Sequence, residues 1–366
     1  MNILLIGDFS AAHYNLKLAL ESLGHKVLLY SNKDAYKQIP TDKAFYSPKP
    51  NENKYLASLK VITSQLRIIP DLWKNWDIIQ LIAHSPFHHR INSFLMRYIL
   101  NRNKPTVLFN AACSYPYNQF VRSLKYSPCQ LCKIHDLPHI NKSSVCPHEI
   151  ERQISFEEYV YEKVQAIVSS HYEYYKSFEN TPSHKKNHLI PIPFPVKEDE
   201  FKPRKPKDKI VVYLGITRIG FKGVPYFLRA IRGLQRSRYG KYFEFIVKEK
   251  QPYHKHKEIL KNADVLLDQT SSYSYGVNAL LGLSLGKIVF SGAEPEALAA
   301  IGASPQECPI INVRPNSREI KEKLVNLLEM RDSFPDLQNK GFEFVKKYHD
   351  PIKITRQYEN LYKTII

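Results

Sequence analysis

A short loop bounded by glycines carries two cations at a spacing that suits an anionic ligand. Residues 215–223 read GITRIGFKG and include Arg218 and Lys222. The loop follows an apolar run that predicts a strand and precedes a run that predicts a helix. It therefore opens at a helix N-terminus, where backbone N–H groups bind anions. Because an arginine fork and a lysine point charge together suit a diphosphate, we expect both to face a phosphorylated ligand, with plain solvent exposure as the alternative.

A second stretch has the pattern of a strand, a loop, a helix and another strand. Residues 263–292 read ADVLLDQTSSYSYGVNALLGLSLGKIVFSG, with Gly276 at the predicted start of the helix and Gly286 at its end. Ligands of parallel α/β sheets bind beyond the carboxyl ends of the strands. With the loop above, this stretch supplies six predicted ligand-binding residues: Gly223, Asp268, Tyr275, Gly276, Val277 and Asn278.

Two further loops follow predicted strands. Gly7 and Ser10 lie in the GDFS segment after the first strand, and we expect them to face the same ligand. The segment lacks G-x-G-x-x-G, so a dinucleotide cofactor is not predicted. Glu294 and Glu296 follow the predicted strand 288–291. Their carboxylates either bind sugar hydroxyls or act as acids at a helix N-terminus, and the sequence leaves both interpretations open.

Histidines and cysteines are the remaining side chains that could bind a ligand. His84 follows the predicted strand 77–83 and His135 precedes an aspartate, so these two are further candidate site residues. The five cysteines form an odd set, and we expect free thiols. A zinc site has its ligand types in Cys129, Cys132, Cys146 and His148. Since only a single CxxC is present, we expect no metal.

Charge is concentrated in one part of the chain. The net charge is +18, and residues 201–261 hold 17 Lys and Arg against four acidic residues. Such a segment favours an anionic partner, either a phosphorylated ligand, an anionic membrane surface or a nucleic acid. Because no nucleic-acid recognition motif is present, nucleic acid is not the expected partner. A solvated basic face is the alternative interpretation.

Length and apolar patterning predict two α/β domains. A chain of 366 residues exceeds one typical core, and strands alternate with helices twice, which indicates parallel sheets. A stretch rich in proline and lysine separates the two series. We predict a first domain at 1–195, a linker at 196–208, a second domain at 209–345 and a final helix at 346–366 that packs back on the first domain. Neither a signal peptide nor a membrane span is evident, so we expect a cytoplasmic protein.

Five motifs occur in an order that resembles the GT-B nucleotide-sugar glycosyltransferases, in particular the retaining bacterial family 4-like class. They are GDFS after the first strand, LESLGHKVLLY (20–30), YLGITRIGFKG (213–223), ILKNADVLLDQ (259–269) and SYGVNALLGLSLGKIVFSG (274–292). The resemblance implies two Rossmann-like domains whose parallel sheets face a central cleft, with a C-terminal helix crossing back. It also implies a nucleoside diphosphate sugar donor in the second domain, a saccharide or lipid-linked acceptor in the first, and neither cofactor nor metal.

The resemblance also assigns roles to residues. Arg218 and Lys222 match the arginine and lysine that hold the diphosphate and stabilise it as it leaves, and Gly276 matches the segment that contacts the donor sugar and ribose. The family usually has two glutamates eight positions apart around the following helix, where this chain has Tyr273 and Leu281. Glu294, with a catalytic role, or Glu296 is then expected to orient the sugar.

The function implied is sugar transfer in the synthesis of a surface polysaccharide or glycoconjugate, with docking on the inner face of an anionic membrane as a further expectation. The family's first-domain histidine is not evident, because Ala111, Ala112 and Cys113 follow the strand 106–110. His84 and His135 are the candidate residues of the acceptor side. Because Tyr273 and Leu281 stand in place of the donor glutamates, the alternative is a GT-B scaffold that has lost catalysis and acts in a complex.

Overall fold

The computed structural model describes residues 1–49, 51–136 and 146–366, which form two parallel β-sheets with helices packed around them. The first sheet has seven strands in the order β3-β2-β1-β4-β5-β6-β7. Its strands are β1 Asn2–Ile6, β2 Lys26–Ser31, β3 Lys43–Ala44, β4 Ile78–Ile82, β5 Thr106–Asn110, β6 Ala166–Ser169 and β7 Asn187–Leu189. The second has five strands in the order β12-β11-β10-β8-β9. These are β8 Ile210–Ile216, β9 Phe243–Glu249, β10 Val265–Leu267, β11 Ile288–Ser291 and β12 Ile311–Asn312.

The helices follow the strands in the alternating order that parallel sheets require. Those before β8 are α1 Ala12–Ser22, α2 Lys54–Leu66, α3 Ile69–Leu72, α4 His89–Leu100, α5 Tyr115–Ser123, α6 Cys129–His135, α7 Glu151–Lys163 and α8 Tyr172–Lys176. Those after β8 are α9 Val224–Gln235, α10 Tyr253–Asn262, α11 Val277–Ser284, α12 Pro295–Ala300, α13 Ser317–Asn326, α14 Phe334–Tyr348 and α15 Pro351–Ile365. None of the described helices combines the length and apolar character needed to cross a membrane.

Strand β1 shows why these sequences form a sheet covered on both faces. Its apolar residues are fully buried, and successive side chains point to opposite sides. Leu4 and Ile6 pack into the core under α4, whereas Ile3 and Leu5 pack into the core formed with α1 and α15. A continuous apolar run, rather than an alternating one, is therefore what places β1 in the centre of the sheet.

The last helix, α15, belongs to the first core although it follows the second sheet in sequence. Ile354 and Tyr358 are buried in one cluster with Ile3 of β1. The Tyr362 hydroxyl donates a hydrogen bond of 2.7 Å to the Gln80 side chain of β4. The expectation of a C-terminal helix that crosses back to the first domain is confirmed.

The segment rich in proline and lysine lies against the second sheet's domain instead of hanging free. The Arg204 backbone N–H donates to the Gln338 side chain of α14 at 2.7 Å. The Arg331 guanidinium donates to the carbonyl oxygens of Lys207 at 2.6 Å and of Asp208 at 3.0 Å. These bonds satisfy backbone groups that proline-rich sequence cannot pair in a helix or sheet.

Gly223 is the N-cap of α9, and there is no room for a side chain at this position. Its φ is +67°, and an added Cβ would overlap the Thr270 hydroxyl and lie 2.5 Å from the Ser271 hydroxyl. We predict that Gly223→Ala lowers the free energy of unfolding by about 2–4 kcal/mol, from backbone strain plus overpacking. The change is measured as a fall in melting temperature.

Gly276→Ala is the matched control for that substitution. Gly276 precedes α11 with a φ of −121°, and an added Cβ would meet nothing within 4 Å. We expect its stability to stay within about 0.5 kcal/mol of the wild type. Equal stabilities for the two variants would contradict the role given to Gly223.

Candidate functional site

A cavity of about 340 Å³ lies between the two sheets, and residues of both domains line it. The first domain contributes α1 and the loop before it, and the second contributes the loop after β8, the start of α10 and the start of α11. Of the described lining residues, five are lysines and one is a carboxylate, Glu200. The lysines are Lys37, Lys197, Lys222, Lys248 and Lys257. Lys37, Lys222 and Lys257 are paired with Asp34, Asp268 and Glu200, so the excess positive charge of the lining comes from Lys197 and Lys248. The cavity lies where parallel sheets bind ligands.

A buried carboxylate positions the cation of the glycine-bounded loop. Asp268, which is 1% exposed, accepts hydrogen bonds from Lys222 Nζ at 2.6 Å and from Asn278 Nδ2 at 2.9 Å. Its other oxygen accepts from the Ser291 hydroxyl at 2.9 Å. Asp268 thus joins the loop after β8, the start of α11 and the end of β11. Lys222 and Asn278 are held at the cavity wall as a result.

Arg218 lies in the same loop but contacts the first domain instead of lining the cavity. Its guanidinium stacks on the Phe221 ring at 4.1 Å and lies 3.8 Å from the Asp136 carboxylate. That carboxylate also accepts hydrogen bonds from the backbone N–H groups of Gly220 at 3.0 Å and Phe221 at 2.7 Å. The first domain therefore places an anion on the N–H pair of this loop.

Gly220 permits this close approach of the two domains. A Cβ at Gly220 would overlap the carbonyl oxygen of Leu131 and come within 2.9 Å of the Cys132 Cα. Backbone atoms cannot move aside as a side chain can, so any larger residue at position 220 would push α6 away from the loop.

The N-terminus of α11 opens at the cavity without a side-chain cap, because its N-cap residue is Gly276. Among the described residues, the backbone N–H groups of Val277 and Asn278 have no acceptor, which is the arrangement that binds anions. The N-terminus of α9 differs, since the Val224 N–H donates to the Ile219 carbonyl at 3.0 Å and the next residue is a proline without an N–H. Val277 and Asn278, at the start of α11, line the cavity.

His256 is a cavity residue that the sequence did not single out. Its Nε2 lies 2.8 Å from Asn278 Oδ1, and its Nδ1 lies 2.8 Å from the Tyr213 hydroxyl. Burial lowers the pKa of His256, although the hydrogen bond to Asn278 opposes the shift. The neutral ring links α10, β8 and α11, and so stiffens the wall around Lys222.

Glu200 supplies the negative charge of the cavity. Burial opposes ionisation of Glu200, but the hydrogen bonds and charges of Lys257, at 2.5 Å, and Lys261, at 3.4 Å, outweigh it and hold the pKa below its ordinary value. The residue lies in a single helical turn, Glu198–Glu200, at the edge of the proline-rich segment. A run of charge in such a segment is typical of a linker, which is why Glu200 was not predicted as a site residue.

Of the two first-domain loop residues predicted at the site, Ser10 lines the cavity and Gly7 does not. Gly7 has a φ of +82°, and a Cβ there would overlap Ile82, so its role is in the turn after β1. Ser10 lines the cavity, where its hydroxyl accepts a hydrogen bond of 2.9 Å from Lys37 Nζ. Ser10, Lys222, Val277 and Asn278 are the predicted site residues that meet around the cavity.

Tyr275 and Tyr273 face away from that cavity and into the packing between the domains. The Tyr275 hydroxyl lies 2.8 Å from His349 Nε2, and Tyr275 borders a separate small space of about 20 Å³. The Tyr273 ring packs at 4.9 Å from the ring of Tyr126 in the first domain. Leu281, by contrast, lines the main cavity.

Glu294 and Glu296 are not among the lining residues. Glu294 is 4% exposed and accepts from the Arg314 guanidinium at 2.8 and 2.9 Å and from the Tyr126 hydroxyl at 2.6 Å. Burial opposes ionisation of Glu294, but these bonds and one from Asn312 lower its pKa to about 2. Glu296 is exposed in the first turn of α12. A sugar-binding role for either stays a prediction.

The two acceptor-side histidines do not meet. His84 is 2% exposed and lies 3.3 Å from the Glu157 carboxylate. Burial lowers its pKa to about 4, assisted by His148 and opposed by Glu157. His135 is exposed at the end of α6. None of the five cysteines, all within the described residues, forms a disulfide.

Comparisons with known proteins bear on the fold. No family model matches the sequence, and no curated protein matches it significantly. Among solved structures, the chain is similar to a sucrose-phosphate synthase from Thermosynechococcus elongatus, with a TM-score of 0.64 and 14% identity over 100% of this chain and 98% of that one. It is also similar to the trehalose-6-phosphate synthase OtsA, with a TM-score of 0.62 and 11% identity over 100% and 99%. The chain is similar as well to the Anabaena protein HepE in complex with UDP-glucose, with a TM-score of 0.58 and 12% identity over 100% of both chains.

The three similarities cover the whole chain, and therefore both sheets and the final helix. In this chain two parallel sheets line a shared cavity, and the C-terminal helix packs in the first core. The chain has the GT-B fold of the nucleotide-sugar glycosyltransferases.

Proposed function

We propose that this protein is a glycosyltransferase that moves a sugar from a nucleoside diphosphate sugar to an acceptor. The observation that carries the proposal is the interdomain cavity, whose described lining holds five lysines and one carboxylate and includes the start of α11. A volume of about 340 Å³ falls within the usual range for small-ligand sites. In support, the structural neighbour HepE was solved with UDP-glucose and with UDP.

Lys222 and the N–H groups of its loop are the parts suited to the leaving diphosphate. Negative charge grows on that group as the bond to the sugar breaks, and preorganised donors stabilise it. Lys222 is fixed by Asp268, so little reorganisation is needed. Arg218 joins it when the donor takes the place of the Asp136 carboxylate, and closure of the domains excludes water.

The ribose requires a different partner from the one the resemblance implies. Leu281 lines the cavity where the family usually has a glutamate, and a leucine cannot accept hydrogen bonds from the ribose hydroxyls. Glu200 is the carboxylate that the described lining offers instead. We assign it to the ribose.

Finer features of the reaction follow the resemblance and the charge. A saccharide or lipid-linked acceptor, retention at the anomeric carbon, chemistry without a metal and a place in surface polysaccharide or glycoconjugate synthesis belong to the proposal on that basis. The basic segment 201–261 suits peripheral docking on the inner face of an anionic membrane.

A second candidate is a non-catalytic GT-B scaffold. Leu281 in the cavity and Tyr273 in the domain interface, at the positions where the family usually has glutamates, favour it. A scaffold of this kind would bind nucleotide without releasing it from a nucleotide sugar. Turnover of the donor that binds best, measured as release of nucleoside diphosphate, separates the two candidates.

We predict that one nucleoside diphosphate in a panel of UDP, GDP, ADP and dTDP raises the melting temperature. At 100 times Kd a ligand adds about 2.7 kcal/mol. Lys222→Ala should weaken that binding about 10- to 100-fold, because a charge-assisted hydrogen bond is lost. Isothermal titration calorimetry measures the affinity for the nucleoside diphosphate. The variant is compared only if its circular dichroism spectrum matches that of the wild type.

Lys241→Ala is the control, since Lys241 is exposed and lies outside the cavity lining. The affinity of Lys241→Ala for the nucleoside diphosphate should match that of the wild type. Failure of every nucleotide to bind would contradict the donor site, as would equal losses in the two lysine variants.

Asp136→Asn should tighten nucleoside diphosphate binding about 3- to 10-fold. The Asp136 carboxylate occupies the N–H groups of Gly220 and Phe221 and lies beside Arg218, so a diphosphate competes with it. An amide keeps the size but not the charge. Unchanged or weaker binding in titrations would show that the diphosphate does not use this loop.

Glu200→Gln should weaken the nucleoside diphosphate about 5- to 10-fold while inorganic diphosphate binds as before. The loss is expected because a carboxylate accepts from two ribose hydroxyls more strongly than an amide does. Asp199→Asn, at an exposed neighbouring position, is the matched control. Equal effects on both ligands would place Glu200 away from the ribose.

A further inference from the structure

A second cluster of ligand-type side chains lies in the first domain, outside the cleft cavity. His84 follows β4, Glu157 lies on α7, and His148 lies in the single turn Pro147–Glu149. One nitrogen from each ring and one carboxylate oxygen all lie within 4.8 Å of one another. These three elements are far apart in sequence, so only the fold brings the cluster together.

Two of the three ligand-to-ligand distances in the cluster are close to those around a tetrahedral metal ion. Glu157 Oε1 lies 3.0 Å from His148 Nδ1 and 3.3 Å from His84 Nε2. Ligand atoms at about 2.0–2.1 Å from a tetrahedral zinc ion are separated from each other by about 3.3 Å. Two imidazoles and a carboxylate are also a ligand set that zinc favours among divalent ions.

The buried negative charge of Glu157 would be stabilised by a bound cation. Its side chain is 1% exposed, and among the described residues its ion-pair partners are the two histidines, with no lysine or arginine. A buried carboxylate is costly unless it is paired or bound to a metal. A divalent ion supplies the missing positive charge without requiring protons on the imidazoles.

Neighbouring groups hold the ligands in place. The Tyr115 backbone N–H donates to the second Glu157 oxygen at 2.7 Å, and Gln153 Nε2 donates to the first at 3.2 Å. Asn92 Nδ2 donates to the backbone carbonyl of His84 at 3.2 Å. Outer contacts of this kind orient metal ligands before the ion arrives.

We propose that His84, His148 and Glu157 bind one zinc ion, which ties the turn before α7 to the end of β4. This site uses a different ligand set from the one that the cysteine spacing suggested, with His148 in common. The cluster does not line the cleft cavity, so the ion would act on the first domain and not on a ligand in the cleft, with water at its fourth position. Its occupancy stiffens the part of the first domain that carries α5 and α7.

The test measures zinc by mass spectrometry in the full-length protein, purified without chelator after expression with added zinc. We expect about one zinc per chain in the wild type, and less than about a tenth of that in Glu157→Gln and in His148→Gln, since three ligands become two. His148 is partly exposed, with 27% of its side chain accessible, so its substitution leaves the fold intact. His135→Gln, at an exposed histidine, is the matched control and should keep the zinc.

Cysteine variants separate this site from a thiolate site. The double variant Cys129→Ser, Cys132→Ser should retain zinc, and cobalt-substituted protein should show no thiolate-to-cobalt charge-transfer band. Wild-type protein that holds no zinc even after loading would overturn the proposal and leave a plain hydrogen-bonded cluster. So would zinc that survives Glu157→Gln and disappears with the cysteines.

Discussion

The buried Asp268 carboxylate is the interaction on which the cleft depends. It binds Lys222, Asn278 and Ser291 together, and these belong to three separate elements of the second domain. A carboxylate at 1% exposure is tolerated because it is fully hydrogen-bonded and paired with a cation. The hydrogen bonds that offset the desolvation cost of Asp268 also set the positions of Lys222 and of the start of α11. The shape of the cavity therefore follows from an interior electrostatic requirement.

The two domains meet through carboxylates of the first and hydrogen-bond donors of the second. Glu173 on α8 accepts from the Ser272 hydroxyl at 2.6 Å and the Ser274 N–H at 2.9 Å, and Asp136 accepts from the loop that holds Lys222. The Tyr126 hydroxyl reverses the direction and donates to Glu294. These directional bonds fix the arrangement of the two domains together with an aromatic cluster, in which Tyr126 and Tyr172 of the first domain pack on Tyr273 of the second.

The fold was predictable because its signals are local and continuous. Short apolar runs such as 3–6 and 265–267, next to turn residues, favour buried strands, and glycines 276 and 286 bound α11 at nearly the predicted positions. The site was less predictable, because a side chain's direction depends on distant partners. Arg218 and Lys222 are four residues apart, yet Lys222 faces the cavity and Arg218 faces α6. Glu294 was expected at a sugar, but the structure shows it bound to Arg314, a partner 20 residues away. His256 and Glu200 lie in segments whose sequences look like ordinary surface.

An anion that enters this cleft meets donors that already have acceptors. Lys222 is held by Asp268, Lys257 by Glu200 and the loop N–H groups by Asp136. These contacts differ in how easily they yield. Asp268 is buried and can share its lysine, since an ammonium has three donors, whereas Asp136 occupies both N–H groups of its pair and must move. A ligand that displaces it gains only the difference between its own contacts and those of the carboxylate. A diphosphate carries more charge and more acceptor oxygens than one aspartate, so the exchange favours a diphosphate over a singly charged ligand. Under the proposed function, the cleft therefore selects its ligand by charge before any base or sugar is recognised.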